Sequence, residues 1–264
     1  MTDFTYDLGA DGVALITWDV PNKSMNVMSL EGFALLDSLI DKALADDAVK
    51  GVVITSGKKD FAGGMDLNVI AKMRDEDGAK GLYEGVMRMH GILRKIERAG
   101  MDPKTLKGGK PIASALPGTA LGIGLELPLS THRIFAAENP KAKIGLPEIM
   151  VGIFPGAGGT TRLSRKLGAM MAAPFLLEGK LSDPKSAKAA GIIDEVVAEG
   201  EQVPEFDIHA SLVSLPHLCR VDFAALSAEP PYLRAPEESR IKLGRRERAK
   251  RSWRPRRRRG HAPC

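Results

Sequence analysis

Residues 118–126 read GTALGIGLE, and residues 154–160 read FPGAGGT. Each stretch, like FAGGMD at residues 61–66, is a glycine-rich turn that leads into a predicted helix. Glycine permits tight backbone conformations and lets a ligand approach backbone N–H groups, and a helix N-terminus adds unpaired N–H donors. Two such turns that face one another can stabilise a developing oxyanion, although ordinary strand-to-helix connections look the same in a sequence.

Strands alternate with helices on both sides of these turns. Period-two and short apolar runs predict strands at residues 3–8, 12–18, 52–54, 111–116, 132–137 and 192–197. Helical periodicity and capping residues predict helices at residues 29–45, from about 66, at 79–98, after 124, at 160–167 and at 182–191, with Ser29 and Ser182 as N-caps. This alternation predicts an α/β fold with buried strands.

The composition excludes several classes of protein. Hydrophobic residues make up 44% of the 264 residues, which is enough for a sizeable core. The two cysteines, Cys219 and Cys264, form neither a disulfide framework nor a CxxC metal pair, and no His, Asp or Glu cluster has metal-ligand spacing. There is no signal-peptide pattern and no apolar run of about 18 residues. We therefore expect a cytoplasmic protein without a metal or membrane span.

The C-terminal part of the sequence differs from the rest. Residues 201–264 carry 14 Lys and Arg against 8 Asp and Glu, whereas residues 1–200 carry 24 against 25. The tail is rich in proline and arginine and has no apolar helical stripe, which is typical of a disordered segment. We predict a folded core at 1–200 and an atypical tail at 201–264. A reading-frame shift in a GC-rich gene is one origin that would produce such a tail.

Two nucleotide-binding motifs are incomplete in this chain. In chain order the glycine-rich turns lie at residues 61–66, 118–126 and 154–160. No lysine follows Gly159, so the third turn does not satisfy the phosphate-binding P-loop pattern. Residues 121–126 begin like a GxGxxG dinucleotide fingerprint but do not complete it. The basic tail has few aromatic residues between its arginines, so binding to nucleic acid or anionic surfaces remains only an alternative function.

The order of the motifs is more specific than any one of them. Residues 1–200 resemble the crotonase (enoyl-CoA hydratase/isomerase) superfamily through PNKSMNVM (21–28), FAGGMDL (61–67), GTALGIGLE (118–126) and GLPEIMVGIFPGAGGT (145–160). The insert at about 75–107 and NPKAK (139–143) are similar to the hydratase portion of multifunctional fatty acid oxidation alpha subunits. The resemblance implies a repeated ββα (spiral) core, with the tail standing where the family has trimerisation helices.

The resemblance also implies roles for single residues. Glu126 and Glu148 match the two catalytic carboxylates, Met65 and Ile123 the two oxyanion-binding N–H groups, and Gly156 the N–H that holds the attacking water. The expected substrate and CoA path consists of Ser24, Met25, Asn26, Ala62, Asp66, Leu67 and Asn68. A coenzyme A thioester would be the substrate, with no further cofactor.

The function that the resemblance implies is reversible syn addition of water to a trans-2-enoyl-CoA. Δ3–Δ2 enoyl-CoA isomerisation is the nearest alternative, and a catalytically impaired remnant of the fold is another. Relatives form homotrimers or parts of multifunctional complexes, an assembly that the tail puts in question here. Outside the motifs, we expect His132 to be structural, His90 to be solvated, and Glu138 and Glu178 to lie on the surface.

Overall fold

A computed structural model of the protein describes residues 2–105 and 107–198, and only the backbone of residues 67, 68 and 70–77. The predicted tail, residues 201–264, lies outside the described residues. The division of the chain at residue 200 therefore stays a prediction, as does the tail's predicted disorder.

The described residues alternate between strands and helices, as predicted. The strands are β1 (Phe4–Leu8), β2 (Val13–Trp18), β3 (Gly51–Ser56), β4 (Ile112–Leu116), β5 (Ala120–Leu121), β6 (Arg133–Ala137), β7 (Ile144–Gly145), β8 (Leu181–Ser182) and β9 (Glu195–Val197). The helices are α1 (Leu30–Ala45), α2 (Leu67–Arg98), α3 (Ile123–Glu126), α4 (Gly159–Leu167), α5 (Ala169–Leu177) and α6 (Pro184–Ala189). Short 3-10 turns cover Pro128–Ser130 and Pro147–Val151.

Six strands form the main sheet in the order β1-β2-β3-β4-β6-β9. Only β1 runs antiparallel to its neighbour, and the other neighbouring pairs are parallel. Parallel strands have helices on the connections between them, so both faces of the sheet can be covered. The carboxyl ends of β3 and β4 are neighbours, and the first two glycine-rich turns follow them.

Aromatic packing anchors the start of the chain to the core. The rings of Phe4 and Trp18 stack with centroids 5.3 Å apart, and Phe61 meets Trp18 edge-on at 5.9 Å. All three side chains are buried. Phe61 opens the first glycine-rich turn, so this cluster fixes where that turn leaves the sheet.

Local signals explain where α1 and α2 begin and break. The hydroxyl of Ser29 accepts a hydrogen bond from the Gly32 N–H at 2.9 Å, which confirms the predicted N-cap of α1. In α2 the backbone of Gly78 has φ 61 and ψ −157, values that no helix contains. This break divides α2 where the sequence predicts the end of one helix and the start of another.

Two predictions about elements were wrong, and one helix was missed. Asp183, not Ser182, caps α6, because its carboxylate accepts from the Ser186 N–H while Ser182 belongs to β8 and is buried. The last strand is shorter than 192–197: β9 begins at Glu195, since the Ile192 N–H still donates to the Ala187 carbonyl of α6. Helix α5 was not predicted, because its sequence is apolar on every side and contains Pro174.

Candidate active site

A second, small sheet brings the first two glycine-rich turns and Glu148 together. Its strands β5 and β7 are parallel, β8 pairs with β7, and Ala62 forms an isolated bridge with Ala120. Backbone hydrogen bonds of 2.9–3.1 Å between Phe61, Ala62, Thr119 and Leu121 join the first two turns. Because Glu148 follows directly on β7, the same sheet brings it to these turns.

The N–H groups of Met65 and Ile123 each follow a glycine in an unusual conformation. Gly64 has φ +120 and Gly122 has φ +56, and a methyl group built on Gly122 would lie 3.6 Å from the Cα of Gly64. Within the part of the chain that the structure describes, neither the Met65 N–H nor the Ile123 N–H donates to an acceptor. Ile123 is the first residue of α3, where an unpaired N–H is expected.

Glu126 is a buried carboxyl group that is held by backbone donors. Only 3% of the residue is exposed, and its Oε1 accepts a hydrogen bond from the Gly159 N–H at 2.8 Å. Burial raises the pKa of Glu126 to about 7, and the charge of Glu148 adds to this rise. Hydrogen bonds from Gly159 and Ala157 and the charge of Arg162 act in the opposite direction.

Glu148 faces the same region from the turn after β7. A methyl group on Gly122 would lie 3.5 Å from its Oε1, which places this carboxyl beside the second glycine-rich turn. Its Oε2 is buried and has no hydrogen-bond partner among the described residues. Burial raises the pKa of Glu148 to about 7. The two carboxyl groups can thus exchange a proton with a bound reactant near neutral pH.

The third glycine-rich turn supplies Gly156 and closes over Glu126. Gly156 is half-buried, and its N–H donates to no acceptor within residues 2–105 and 107–198. Its carbonyl accepts a hydrogen bond from His90 at 2.5 Å. Glycine at position 159 leaves room for Glu126, because a methyl group there would lie 2.8 Å from Glu126 Cγ and would push this side chain aside.

Sequence reasoning missed the groups of α2 and α4 that hold this turn. His90, expected to be solvated, is half-buried against Gly156, so that prediction was wrong. Arg162 donates to the Ala157 carbonyl at 3.2 Å and lies 3.4 Å from a carboxylate oxygen of Glu97. A charged residue just after FPGAGGT was the available signal for Arg162, whereas no motif points to His90.

The residues of the PNKSMNVM motif (21–28) differ in what they can offer a substrate. Ser24 is exposed and Met25 is half-buried next to Gly63. Asn26 is fully buried, and its amide binds the backbone of Val20, Trp18 and Phe61 and the Ser56 hydroxyl. The Asn26 side chain therefore fixes the shape of the turn rather than presenting polar atoms to a ligand.

The other predicted path residues lie around the first glycine turn. Ala62 is buried and both its N–H and carbonyl bind the second turn. Asp66 is half-buried at the start of α2, and its N–H donates to Met28 at 3.2 Å. The side chains of Leu67 and Asn68 lie outside the described residues, so their predicted role stays a prediction.

His132, Glu138 and Glu178, which were predicted to be structural or to lie on the surface, do so. The His132 ring nitrogen Nδ1 accepts from the Ile112 N–H at 2.9 Å, which confirms the structural interpretation. Glu178 is exposed, and Glu138 forms an exposed ion pair with Lys185. In the described ranges no three His, Cys, Asp or Glu side chains gather as a metal site would require, and none of the helices there could cross a membrane.

Comparisons with known proteins identify similar sequences. The sequence model of the family described as enoyl-CoA hydratase/isomerase matches residues 9–213. The chain is 35% identical over 190 residues to the fatty acid oxidation complex subunit alpha of Shewanella halifaxensis, covering 72% of this chain and 25% of that protein. It is 36% identical over 197 residues to the subunit alpha of Idiomarina loihiensis, covering 74% of this chain and 26% of that protein. The chain spans about a quarter of the length of these curated relatives.

Solved structures share the fold. An enoyl-CoA hydratase from Thermoplasma volcanium superimposes with a TM-score of 0.64 at 30% identity, covering 75% of this chain and 72% of that one. An enoyl-CoA hydratase from Bacillus anthracis superimposes with a TM-score of 0.63 at 26% identity, covering 75% of this chain and 70% of that one.

Proposed function

Because the chain belongs to the enoyl-CoA hydratase/isomerase family, we propose that it is an enoyl-CoA hydratase, adding water reversibly to a trans-2-enoyl-CoA to give a 3-hydroxyacyl-CoA. The observation that carries this proposal is the pair Glu126 and Glu148. Glu126 is buried, Glu148 has one buried carboxyl oxygen, and both groups have a pKa raised to about 7. They lie beside the first two glycine-rich turns, in which the N–H groups of Met65 and Ile123 are unpaired within the described chain.

The first task of the site is to bind the charge that develops on the thioester. Attack at the β-carbon of the enoyl group moves electron density onto the thioester oxygen. The N–H groups of Met65 and Ile123 would both donate to this oxygen, and such preorganised donors stabilise an oxyanion by several kcal/mol in a site that excludes water. Because the first two turns are joined by backbone hydrogen bonds, little reorganisation is needed as the charge forms.

The second task is to take one proton from water and give one to the α-carbon. A water molecule between Glu126 and Glu148 can lose a proton to one carboxylate while the other, protonated carboxyl delivers a proton to carbon. Raised pKa values near 7 make both protonation states available at neutral pH. The free N–H of Gly156 would orient the water, so that hydroxyl and proton add to the same face.

The substrate would approach along the motifs at residues 21–28 and 61–67. The turn at Ser24–Asn26 and the segment from Met65 to Asn68, with Ala62 beneath it, would line the coenzyme A path. Coenzyme A belongs to the substrate, so no separate cofactor is invoked. Association with further domains or subunits, as in the fatty acid oxidation complexes of relatives, is part of the proposal.

Isomerisation of a 3-enoyl-CoA is the competing activity within the family. It moves a proton between two carbon atoms, a task that one carboxyl group can perform. The presence of a second carboxyl group, Glu148, with one buried and unpartnered oxygen favours a reaction that also handles water.

A pair of assays distinguishes the two activities. Purified protein is given crotonyl-CoA, and loss of the conjugated thioester absorbance is followed. It is then given a trans-3-enoyl-CoA, and gain of the same absorbance is followed. Hydration without isomerisation supports the proposal, whereas isomerisation alone contradicts it. The double variant Glu126→Gln/Glu148→Gln serves as the inactive control for both.

A further inference from the structure

The imidazole of His90 holds one carbonyl of the third glycine-rich turn. Its Nε2 lies 2.5 Å from the Gly156 oxygen, although the two residues are 66 positions apart in sequence. A carbonyl oxygen can only accept a hydrogen bond, so His90 carries its proton on Nε2 and donates. The ring is half-buried and is presented by the second part of α2, after the break at Gly78.

The same peptide group touches Glu126 at its other end. The N–H that belongs to the Gly156–Ala157 peptide is that of Ala157, which faces the Glu126 carboxyl and favours its charged form, beside the 2.8 Å hydrogen bond from the Gly159 N–H of the same turn. The peptide therefore links an imidazole donor on one side to a carboxylate acceptor on the other. Hydrogen bonds in such a chain polarise one another, which strengthens each of them.

We infer that His90 is a positioning residue for catalysis, acting on Glu126 through the Gly156–Ala157 peptide. By donating to the Gly156 carbonyl, it orients this peptide and makes the Ala157 N–H a stronger donor to the carboxylate. It also fixes the neighbouring Gly156 N–H, which the proposed function assigns to the attacking water. The inference rests on that proposed function for its catalytic meaning and on the contacts alone for its effect on Glu126.

A second contact from α2 reaches the same turn and supports the role of this helix in positioning it. Glu97 lies seven residues, or two helical turns, after His90 and so on the same face of α2. Its carboxylate pairs with Arg162, which donates to the Ala157 carbonyl. One face of α2 thus controls two successive carbonyl groups of the turn, one through His90 and one through Arg162.

The contacts made by His90 and by Arg162 affect Glu126 in different ways. The charges that act on Glu126 are Glu148, which raises its pKa, and Arg162, which lowers it. The effect of His90 passes through a neutral peptide instead. Loss of the His90 donor weakens a hydrogen bond to the charged form of Glu126, so the pKa of Glu126 rises.

Two substitutions of His90 separate donation from bulk. His90→Leu removes the donor, whereas His90→Gln keeps an N–H near the position of Nε2 without a titratable ring. Gly91→Ala is the matched control, because a methyl group there meets no atom within 4 Å. Each variant is assayed for crotonyl-CoA hydration from pH 5.5 to 9, with kcat and KM determined at each pH.

We expect His90→Leu to lower kcat by about threefold to tenfold and to move the pH profile upward by about half a unit, with KM little changed. His90→Gln should retain most of kcat and the wild-type profile, and so should Gly91→Ala. An unshifted profile in His90→Leu, or an equal loss in the leucine and glutamine variants, would overturn the inference.

A second measurement keeps the inference testable if the wild-type protein does not hydrate crotonyl-CoA. The Glu126 carboxyl carbon is titrated by NMR in protein labelled with ¹³C-glutamate, with Glu126→Gln used for assignment. The titration should move to higher pH in His90→Leu and stay unchanged in His90→Gln. An inactive wild type would then count against the hydratase proposal, and an unmoved titration against the role of His90.

Discussion

Each of the two carboxyl groups can be tested separately by an isosteric change. Glu126→Gln and Glu148→Gln keep the shape of the side chain but remove its basicity. Each should lower kcat for crotonyl-CoA hydration by at least about 100-fold, the usual scale for a general acid or base. Binding of an unreactive acyl-CoA, measured by calorimetry, should persist. The exposed Glu178→Gln serves as control, and near-normal turnover in either site variant would reject the assignment of the pair.

Gly159 is a second point at which a single residue controls Glu126. A methyl group at Gly159 would lie 2.8 Å from Glu126 Cγ and 2.9 Å from its Oε1. Because the contact is with a side chain, we expect Gly159→Ala to displace the carboxyl rather than unfold the chain. Activity should fall by about 10-fold to 100-fold, as misplaced catalytic groups cause. Full activity with an unchanged circular dichroism spectrum would show that the carboxyl tolerates this contact.

The site residues that could be predicted from the sequence lie within motifs. Glu126, Glu148 and Gly156 stand inside glycine-rich stretches whose order is specific, and the structure brings the segments together. Arg162 was missed although it lies just after FPGAGGT, whereas His90 could not be predicted from any motif. His90 meets Gly156 only because α2 crosses the third turn, and neither the spacing nor the composition around residue 90 encodes that crossing.

The start of α3 allows the oxyanion turn to be tested with one substitution. Ile123→Pro removes the N–H that is proposed to bind the thioester oxygen, and Ile123 is the first residue of the helix, where proline is well tolerated. We expect a loss of about 2.7–4 kcal/mol of transition-state stabilisation, or roughly 100-fold to 1000-fold in kcat. Ile123→Val keeps the N–H and is the control. An intact Ile123→Pro protein with full activity would remove this group from the mechanism.

The elements that build the site were the hardest to predict. Helix α1 has a capping serine and a regular apolar stripe, and α2 has a glycine at its break, so both were visible in the sequence. Strands β5, β7 and β8 have two residues each, too few to show any period. Yet these short strands bring Met65, Ile123 and Glu148 together, so the site depends on pairings that only the folded chain reveals.

For the whole molecule, the predicted crotonase-like α/β fold is confirmed by the solved structures that superimpose on it. The predicted tail at 201–264 is outside the described residues, and the family match ends at residue 213. From the sequence we expect limited proteolysis to leave a fragment that ends within about ten residues of Glu201. Mass spectrometry of the fragment measures this. A protease-resistant chain that remains intact through its arginine-rich end would contradict the prediction.

The buried carboxyl of Glu126 also gives the fold a pH dependence of unusual direction. Its pKa is about 7 in the folded chain against an ordinary value of 4.5, so the folded state binds more protons than the unfolded state between these values. Stability attributable to this group is therefore fully present below about pH 4.5 and is lost as pH rises towards and through 7. Glu148, with its pKa also raised to about 7, acts in the same direction.

Glu126→Gln should remove the contribution of this group and stabilise the fold most at alkaline pH. We expect its unfolding free energy to exceed that of the wild type by on the order of 2 kcal/mol more at pH 8 than at pH 5. Urea unfolding at both pH values measures the difference, with the exposed Glu178→Gln as control. If wild type and Glu126→Gln keep a constant difference across this range, the carboxyl does not titrate as its burial implies. A growing difference would mean that the protein gives up stability at the pH at which an ionised Glu126 can act as a base.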